Sequence, residues 1–292
     1  MTVNDSLADA TFEEEYLLSR DMHMHTRAFD VNPRPGQGVQ ILDLMSAPGG
    51  FLATALEANK GKSPRALAYS HPEGPKDDMP EKFKPFVCKK TVDITTLEGP
   101  VMHQFPLELP EARWHWLRPQ KPFDPHFDII LCKAYPTPTL PDDSMQGLKD
   151  SHMFLASKMS LALSYIRQGG NVVMMFRRVE DWEFCSAYNT FLKYCDIQLW
   201  KPEDYRPHVS MFYVVARNVR FDQPSLNFEL CYWGSLYRGS RVTASSEQDF
   251  WWTALQRHNN GQAHICWHLV DTLVSKADRV FKIQRAGVSL FK

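Results

Sequence analysis

Residues 42–56 read LDLMSAPGGFLATAL, and the turn Ser46-Ala47-Pro48-Gly49-Gly50 separates an apolar run from an amphipathic stretch. Glycines between a strand and a helix let backbone approach a ligand closely. The helix N-terminus beyond them offers amide donors and a partial positive charge. The two glycines are adjacent, unlike the spaced G-x-G-x-x-G of dinucleotide binders, which disfavours NAD. A plain strand–helix turn is the alternative reading.

Other side chains could do chemistry. Arg177 and Arg178 follow the apolar run 171–176 and could meet a phosphate, or simply be solvated. Trp114, Trp116 and Tyr135 lie in loop-like sequence, where aromatics can stack a base or a flat small molecule. Packing against the surrounding insert is their other use. His258, His264, Cys266 and His268 have metal-like spacing, but no second ligand pair stands nearby, so no metal is expected.

The elements that must position these residues alternate. Thr11 and Glu14 form a capping box for a helix opening at "ATFEEEYLL", with Phe12, Tyr16 and Leu17 as its buried stripe. Strands are expected at 39–45, 65–70, 91–95, 127–132 and 171–176. Helices are expected from Gly50, over 151–168 with Gly169-Gly170 ending it, and over 180–195. Residues 197–217 read as two strands around a proline corner, with the last antiparallel. Strands alternating with helices imply an α/β fold with a mostly parallel sheet. The expected organisation is an N-terminal helical segment (1–38), a central domain (39–217) and an aromatic-rich helical extension (218–292).

Composition narrows the function. Lys+Arg number 33 against 34 Asp+Glu, unlike the basic balance of a protein held mainly by nucleic-acid phosphates. The six cysteines contain no C-x-x-C pair and read as reduced thiols of an intracellular protein, cytoplasmic or nuclear. The acidic start lacks the apolar core of a signal peptide. No apolar run approaches the ~18 residues of a membrane span, so no membrane association is expected.

The stretch ILDLMSAPGGF resembles motif I of the FtsJ-like family of 2′-O-methyltransferases, whose D-L-x-x-A-P-G-G-[WF] cradles S-adenosylmethionine (SAM). FDIILCKAYP, GGNVVMMF and KPEDYRPHVSMFYVVA resemble further family segments, in order, from about residue 39 to 217. The resemblance implies a Rossmann-like SAM-dependent methyltransferase fold. It places the cofactor at Asp43, Ser46, Ala47, Pro48, Gly49, Gly50 and Phe51, with Asp93 on the adenine side. His71 or Glu73 could reach the ribose, although neither is matched by motif.

The family's catalytic Lys-Asp-Lys-Glu tetrad is not matched. Its first lysine precedes motif I, and this chain has no lysine before Lys60. The aspartate aligns with Lys133, the second lysine with Met175 and the glutamate with Met211. A methionine cannot accept a proton, so a ribose hydroxyl finds no base where the family keeps one. Lys133 is the candidate catalytic residue that remains, as a base for another nucleophile. Beside a sulfonium ~5 Å away it would be repelled by about 3 kcal/mol at an effective dielectric of 20. Alternatively it points outward, or it has ended SAM binding.

The family's basic RNA contact is also missing, since residues 1–59 hold three Arg and no Lys against nine Asp+Glu. Tyr135, Arg177 and Arg178 are the substrate-side candidates. The expectation is therefore a SAM-binding methyltransferase with a remodelled site, acting on RNA or a small molecule. A catalytically inactive relative serving as a binding or scaffold module is the alternative.

Overall fold

The computed structural model describes residues 11–96, 127–133, 145–177, 182–203, 211–241 and 282. Seven strands form one sheet: β1 (Gln40–Asp43), β2 (Arg65–Ser70), β3 (Val87–Thr91), β4 (Phe127–Cys132), β5 (Ile166–Phe176), β6 (Asp196–Trp200) and β7 (Phe212–Arg217). Their order is β3-β2-β1-β4-β5-β7-β6. The first five strands pair in parallel, and β7 runs antiparallel to both β5 and β6. This is a Rossmann-like methyltransferase fold. The order reverses between β1 and β4, and open α/β sheets bind ligands at such a switch point.

Side chains along the central strands alternate between two cores, as a pleated sheet covered on both faces requires. Leu42, Ile130, Val172, Met174 and Val214 face α3 (Met145–Tyr165), α4 (Trp182–Leu192) and α5 (Gln223–Arg241). Ile41, Ile129, Leu131, Val173, Met175 and Tyr213 face α1 (Phe12–Thr26) and α2 (Gly50–Ala58).

Three expectations are corrected. The third strand is Val87–Thr91, and residues 94–96 form a short 3-10 turn. Gly169-Gly170 do not end a helix, because α3 gives way to β5 at Ile166. They form a bulge instead: β5 pairs at Ile166 and again at Asn171, against Phe127 and Ile129 of β4. Gly169 has φ 73°, and the two glycines exchange backbone hydrogen bonds with Val219.

The third concerns α1. Its capping box is present, with Glu14 N donating to Thr11 Oγ1 at 3.2 Å and Thr11 N to Glu14 Oε2 at 2.9 Å. Phe12 and Tyr16 pack partly buried against the core, but Leu17 is 55% exposed, and the fully buried face is Glu15, Leu18, Ser19, Met22 and Thr26. Ser19 explains the phase: its hydroxyl meets Thr54 Oγ1 at 2.6 Å and Gly50 O at 3.3 Å, docking α1 on α2 through polar contacts.

The five described cysteines form no disulfide. No helix among the described residues is long and apolar enough to cross a membrane. The segment with Trp114 and Trp116, the four-residue His/Cys cluster and most of the C-terminal extension lie outside the described residues.

Candidate functional site

The strand β1 delivers Asp43 to the switch point. Asp43 is fully buried, and its Oδ1 accepts from Met45 N at 3.1 Å. Its Oδ2 and the hydroxyl of Ser46 are buried without a hydrogen-bond partner. Burial pushes the Asp43 carboxyl up to about 6, although Lys133 partly offsets it. Neighbouring strand ends hold the turn: Leu44 N donates to Leu131 O at 2.9 Å, and Ser46 N to Tyr69 O at 2.7 Å.

The chain's own packing demands both glycines. Gly49 has φ +110°, and a Cβ there would lie 2.9 Å from Met79 Cε. A Cβ at Gly50 would lie 2.4 Å from Tyr16 N and 2.5 Å from Glu15 Cβ. The backbone that approaches Gly50 closely is therefore that of α1.

Lys133, just past β4, is buried and turned back onto this turn. Its ammonium donates to Glu15 Oε1 at 2.7 Å and Oε2 at 2.9 Å, to Ser46 O at 3.1 Å and to Ala47 O at 2.8 Å. Glu15 Oε2 in turn accepts from Gly50 N at 3.2 Å. Desolvation raises the Glu15 carboxyl above its ordinary value, and Lys133 pulls it back. An ammonium with four oxygen neighbours and a paired carboxylate is neither outward nor bare. Its charge is compensated within the chain by Glu15.

Phe51, Met175 and Met211 lie in the same core as this ion pair's helix. Phe51 stacks on Tyr213 at 5.2 Å, and Tyr213 sits 5.8 Å from Trp200. Met175 and Met211 are each 3% exposed, so two of the positions matched to charged residues are apolar and filled. Beside them, Lys201 Nζ donates to Met211 O at 2.9 Å, and burial lowers its amine to about 8.

On the other side of the turn, Asp93 lies two residues past the end of β3. Its Oδ1 accepts from Thr95 N at 2.9 Å and Thr95 Oγ1 at 2.7 Å, fixing a tight loop. Its Oδ2 stands 3.7 Å from His71 Nε2. His71 Nδ1 accepts from Glu73 N at 3.1 Å, which places the ring proton on Nε2, facing Asp93. Tyr237 of α5 donates to Thr95 O at 2.7 Å, tying α5 to this loop.

Sequence reasoning missed Glu15 and Lys158. Lys158 is 4% exposed on α3, and its Nζ donates to Lys133 O at 3.2 Å and sits 4.7 Å from the centroid of the Phe154 ring. Burial lowers its amine to about 8, with Glu183 and Cys132 opposing the shift and Arg177 adding to it. Its signal was a lysine inside the apolar stripe of "FLASKMSLAL". Glu15 carried none, because three acids in a first helical turn are ordinary. Arg177 follows β5 directly, whereas Tyr135 and Arg178 lie outside the described residues. Among the described residues no His/Cys/Asp/Glu group could hold a metal ion.

SAM brings an ammonium and ribose hydroxyls, which suit an orphan acceptor and a neighbouring hydroxyl. Asp43 and Ser46 therefore fit the cofactor that the resemblance implies, with Ala47–Phe51 shaping the turn around it.

Comparisons with known proteins give both structures and a family. A structure described as a ribosomal RNA methyltransferase from Plasmodium falciparum is 15% identical, covering 71% of this chain and 97% of its own, with a TM-score of 0.46. An rRNA methylase from Streptococcus thermophilus is 10% identical, covering 68% and 96%, with a TM-score of 0.37. No curated protein sequence matches. The sequence model described as FtsJ-like methyltransferase matches residues 22–219, more than half of the chain. With the switch-point turn and the sheet order, this match places the chain in the FtsJ-like methyltransferase family.

Proposed function

We propose that the chain binds SAM at the β1 turn and transfers its methyl group through a remodelled active site. One observation carries the reading. The cofactor edge keeps two buried polar atoms without partners, Asp43 Oδ2 and Ser46 Oγ, while the neighbouring methionines offer no base. A buried polar group without a partner is costly, and a ligand that supplies one repays it.

The acid–base positions hold Lys133, Met175 and Met211, so the acceptor must need little help in losing its proton. An amine, a thiol or an acidic hydroxyl meets that requirement better than a ribose hydroxyl, because SAM is already activated and alignment supplies much of the rate. Lys133 acts as a brace: its donors are engaged by Glu15 and two carbonyls. An acid from the helix before motif I thus faces a lysine where the family has an aspartate. That pairing inverts the charges of the family's Lys and Asp.

The acceptor is RNA or a small molecule. The match to a family that resembles ribosomal RNA methyltransferases favours RNA, whereas the acidic N-terminal region and balanced charge favour a small molecule. The second reading, a binding module without catalysis, draws on the engaged Lys133 and the docking of α1 on Gly50.

Calorimetric titration with SAM and with S-adenosylhomocysteine tests the proposal. Micromolar binding of both is expected, since Glu15 compensates Lys133. Transfer of labelled methyl from SAM to transcribed ribosomal RNA or to small amines then separates the two acceptor classes. Absence of binding by either ligand sinks the methyltransferase reading and leaves the scaffold.

A further inference from the structure

The loop after β3 is held from outside the region of family likeness. Thr95 O accepts from the Tyr237 hydroxyl at 2.7 Å, and both residues are buried. Thr95 in turn donates its amide and its hydroxyl to Asp93 Oδ1, at 2.9 and 2.7 Å. Tyr237 belongs to α5, which begins at Gln223, after the family match ends at residue 219. The helix is itself firmly seated. Trp233 Nε1 donates to Thr190 Oγ1 at 3.2 Å, and the buried Glu229 carboxylate accepts from Thr190 Oγ1 at 3.0 Å and Lys193 Nζ at 3.1 Å.

The loop stands at the edge where the β1 turn lies. β1, β2 and β3 are parallel neighbours, so Asp43, His71 and Asp93 share one carboxyl edge on one side of the switch point. Asp93 Oδ2 stands 3.7 Å from His71 Nε2, so that oxygen faces the end of β2, the strand between β3 and β1. The Asp93 side chain keeps 26% exposure there, while Ile94 and Thr95 beside it are buried. A carboxylate fixed by two donors on one oxygen and still partly exposed is a directed acceptor.

We infer that Tyr237 is a positioning residue for the nucleoside end of the cofactor. It holds Thr95, Thr95 holds Asp93, and Asp93 accepts from the exocyclic amine of adenine. The helix α5 is thereby part of the cofactor site. The inference rests on the SAM reading above and adds which part of the chain sets recognition of the base.

S-adenosylhomocysteine and S-inosylhomocysteine differ at the base, which carries an exocyclic amine in the first and a carbonyl in the second. In calorimetric titrations of the full chain at pH 7.5, S-adenosylhomocysteine is expected to bind about tenfold tighter, since a carboxylate accepts from an amine and repels a carbonyl oxygen. Tyr237→Phe removes only the hydroxyl, and the preference should fall to about threefold or less. A hydroxyl that served stability alone would weaken both ligands alike and leave their ratio unchanged, and that result overturns the inference. Equal binding of the two ligands by the unaltered chain overturns it as well, with no variant to fold. Thr95→Val, at the other end of the same chain of contacts, should lower the ratio in the same direction. Failure of both ligands to bind the unaltered chain removes the SAM reading itself. Where either ligand binds, that reading stands and the ratio judges Tyr237 alone.

Discussion

Glu15 and Lys133, 118 residues apart in the chain, meet at 2.7 Å against the turn that opens α2. Backbone fixes which partner is the acid. Two carbonyls, Ser46 O and Ala47 O, surround the ammonium, and one amide, Gly50 N, points at the carboxylate. Removing one partner strands a buried charge, which typically costs about 3–5 kcal/mol. Lys133→Met is therefore expected to lower the unfolding free energy by an amount of that order, read from urea titration as a lower midpoint. The exchange Glu15→Lys with Lys133→Glu should not rescue it, because a lysine would face the amide and an acid the carbonyls. Recovery in the exchanged pair would show that only the Coulombic attraction matters.

The glycines should tolerate nothing larger. Gly50→Ala forces α1 away, since the added methyl would stand 2.5 Å from Glu15 Cβ. Gly49→Ala meets Met79 and must hold φ +110°, a conformation costing of order 1–3 kcal/mol for other residues. Thermal unfolding should show both losses. In Gly50→Ala, amide exchange should also rise along α1, separating undocking from general destabilisation.

Asp43 makes a pH prediction. Burial pushes its carboxyl from an ordinary 3.8 up to about 6, so the folded state holds the proton more tightly. The sign follows: its contribution favours folding below 3.8 and is lost as pH rises through about 6. Asp43→Asn should raise the melting temperature at pH 7.5 and change it little at pH 4. A ligand amine seeks the ionised form, so affinity for S-adenosylhomocysteine should climb from pH 5 to pH 7.5 in the native chain. It should stay flat in the variant.

Lys158 carries the opposite linkage. Burial lowers its amine from an ordinary 10.5 to about 8, so the unfolded chain binds the proton more readily between those values. Stability should rise with pH across that window, and Lys158→Met should stabilise the protein at pH 7 by up to about 3 kcal/mol. Chemical denaturation of both proteins at pH 7 and pH 10 reads this directly. Equal gains at the two pH values would mean that packing, not charge, sets the difference.

The strands were the legible part of the fold. RALAYS and FDIILC are bounded by turn residues and coincide with β2 and β4. The glycine pair at 169–170 misled because a helix stop and a strand bulge use the same residue for the same reason, a positive φ at Gly169. The third strand was misplaced because VCKKT mixes polar and apolar residues at the sheet edge, while VDIT beside it has the β-branched composition. The cofactor turn could be read as a motif. The partner of Lys133 could not, because an ion pair spanning 118 residues has no local pattern.

The position of Glu15 also bears on where this protein can be cut. The family match begins at residue 22, yet the residue that neutralises Lys133 and the backbone that covers Gly50 both precede it. A truncation starting there would keep every recognisable motif and lose the first ten residues of α1. It would leave a buried ammonium unanswered at the cofactor turn. A fragment that keeps both the ion pair and the capped helix begins no later than Thr11, eleven residues ahead of the boundary drawn from sequence likeness.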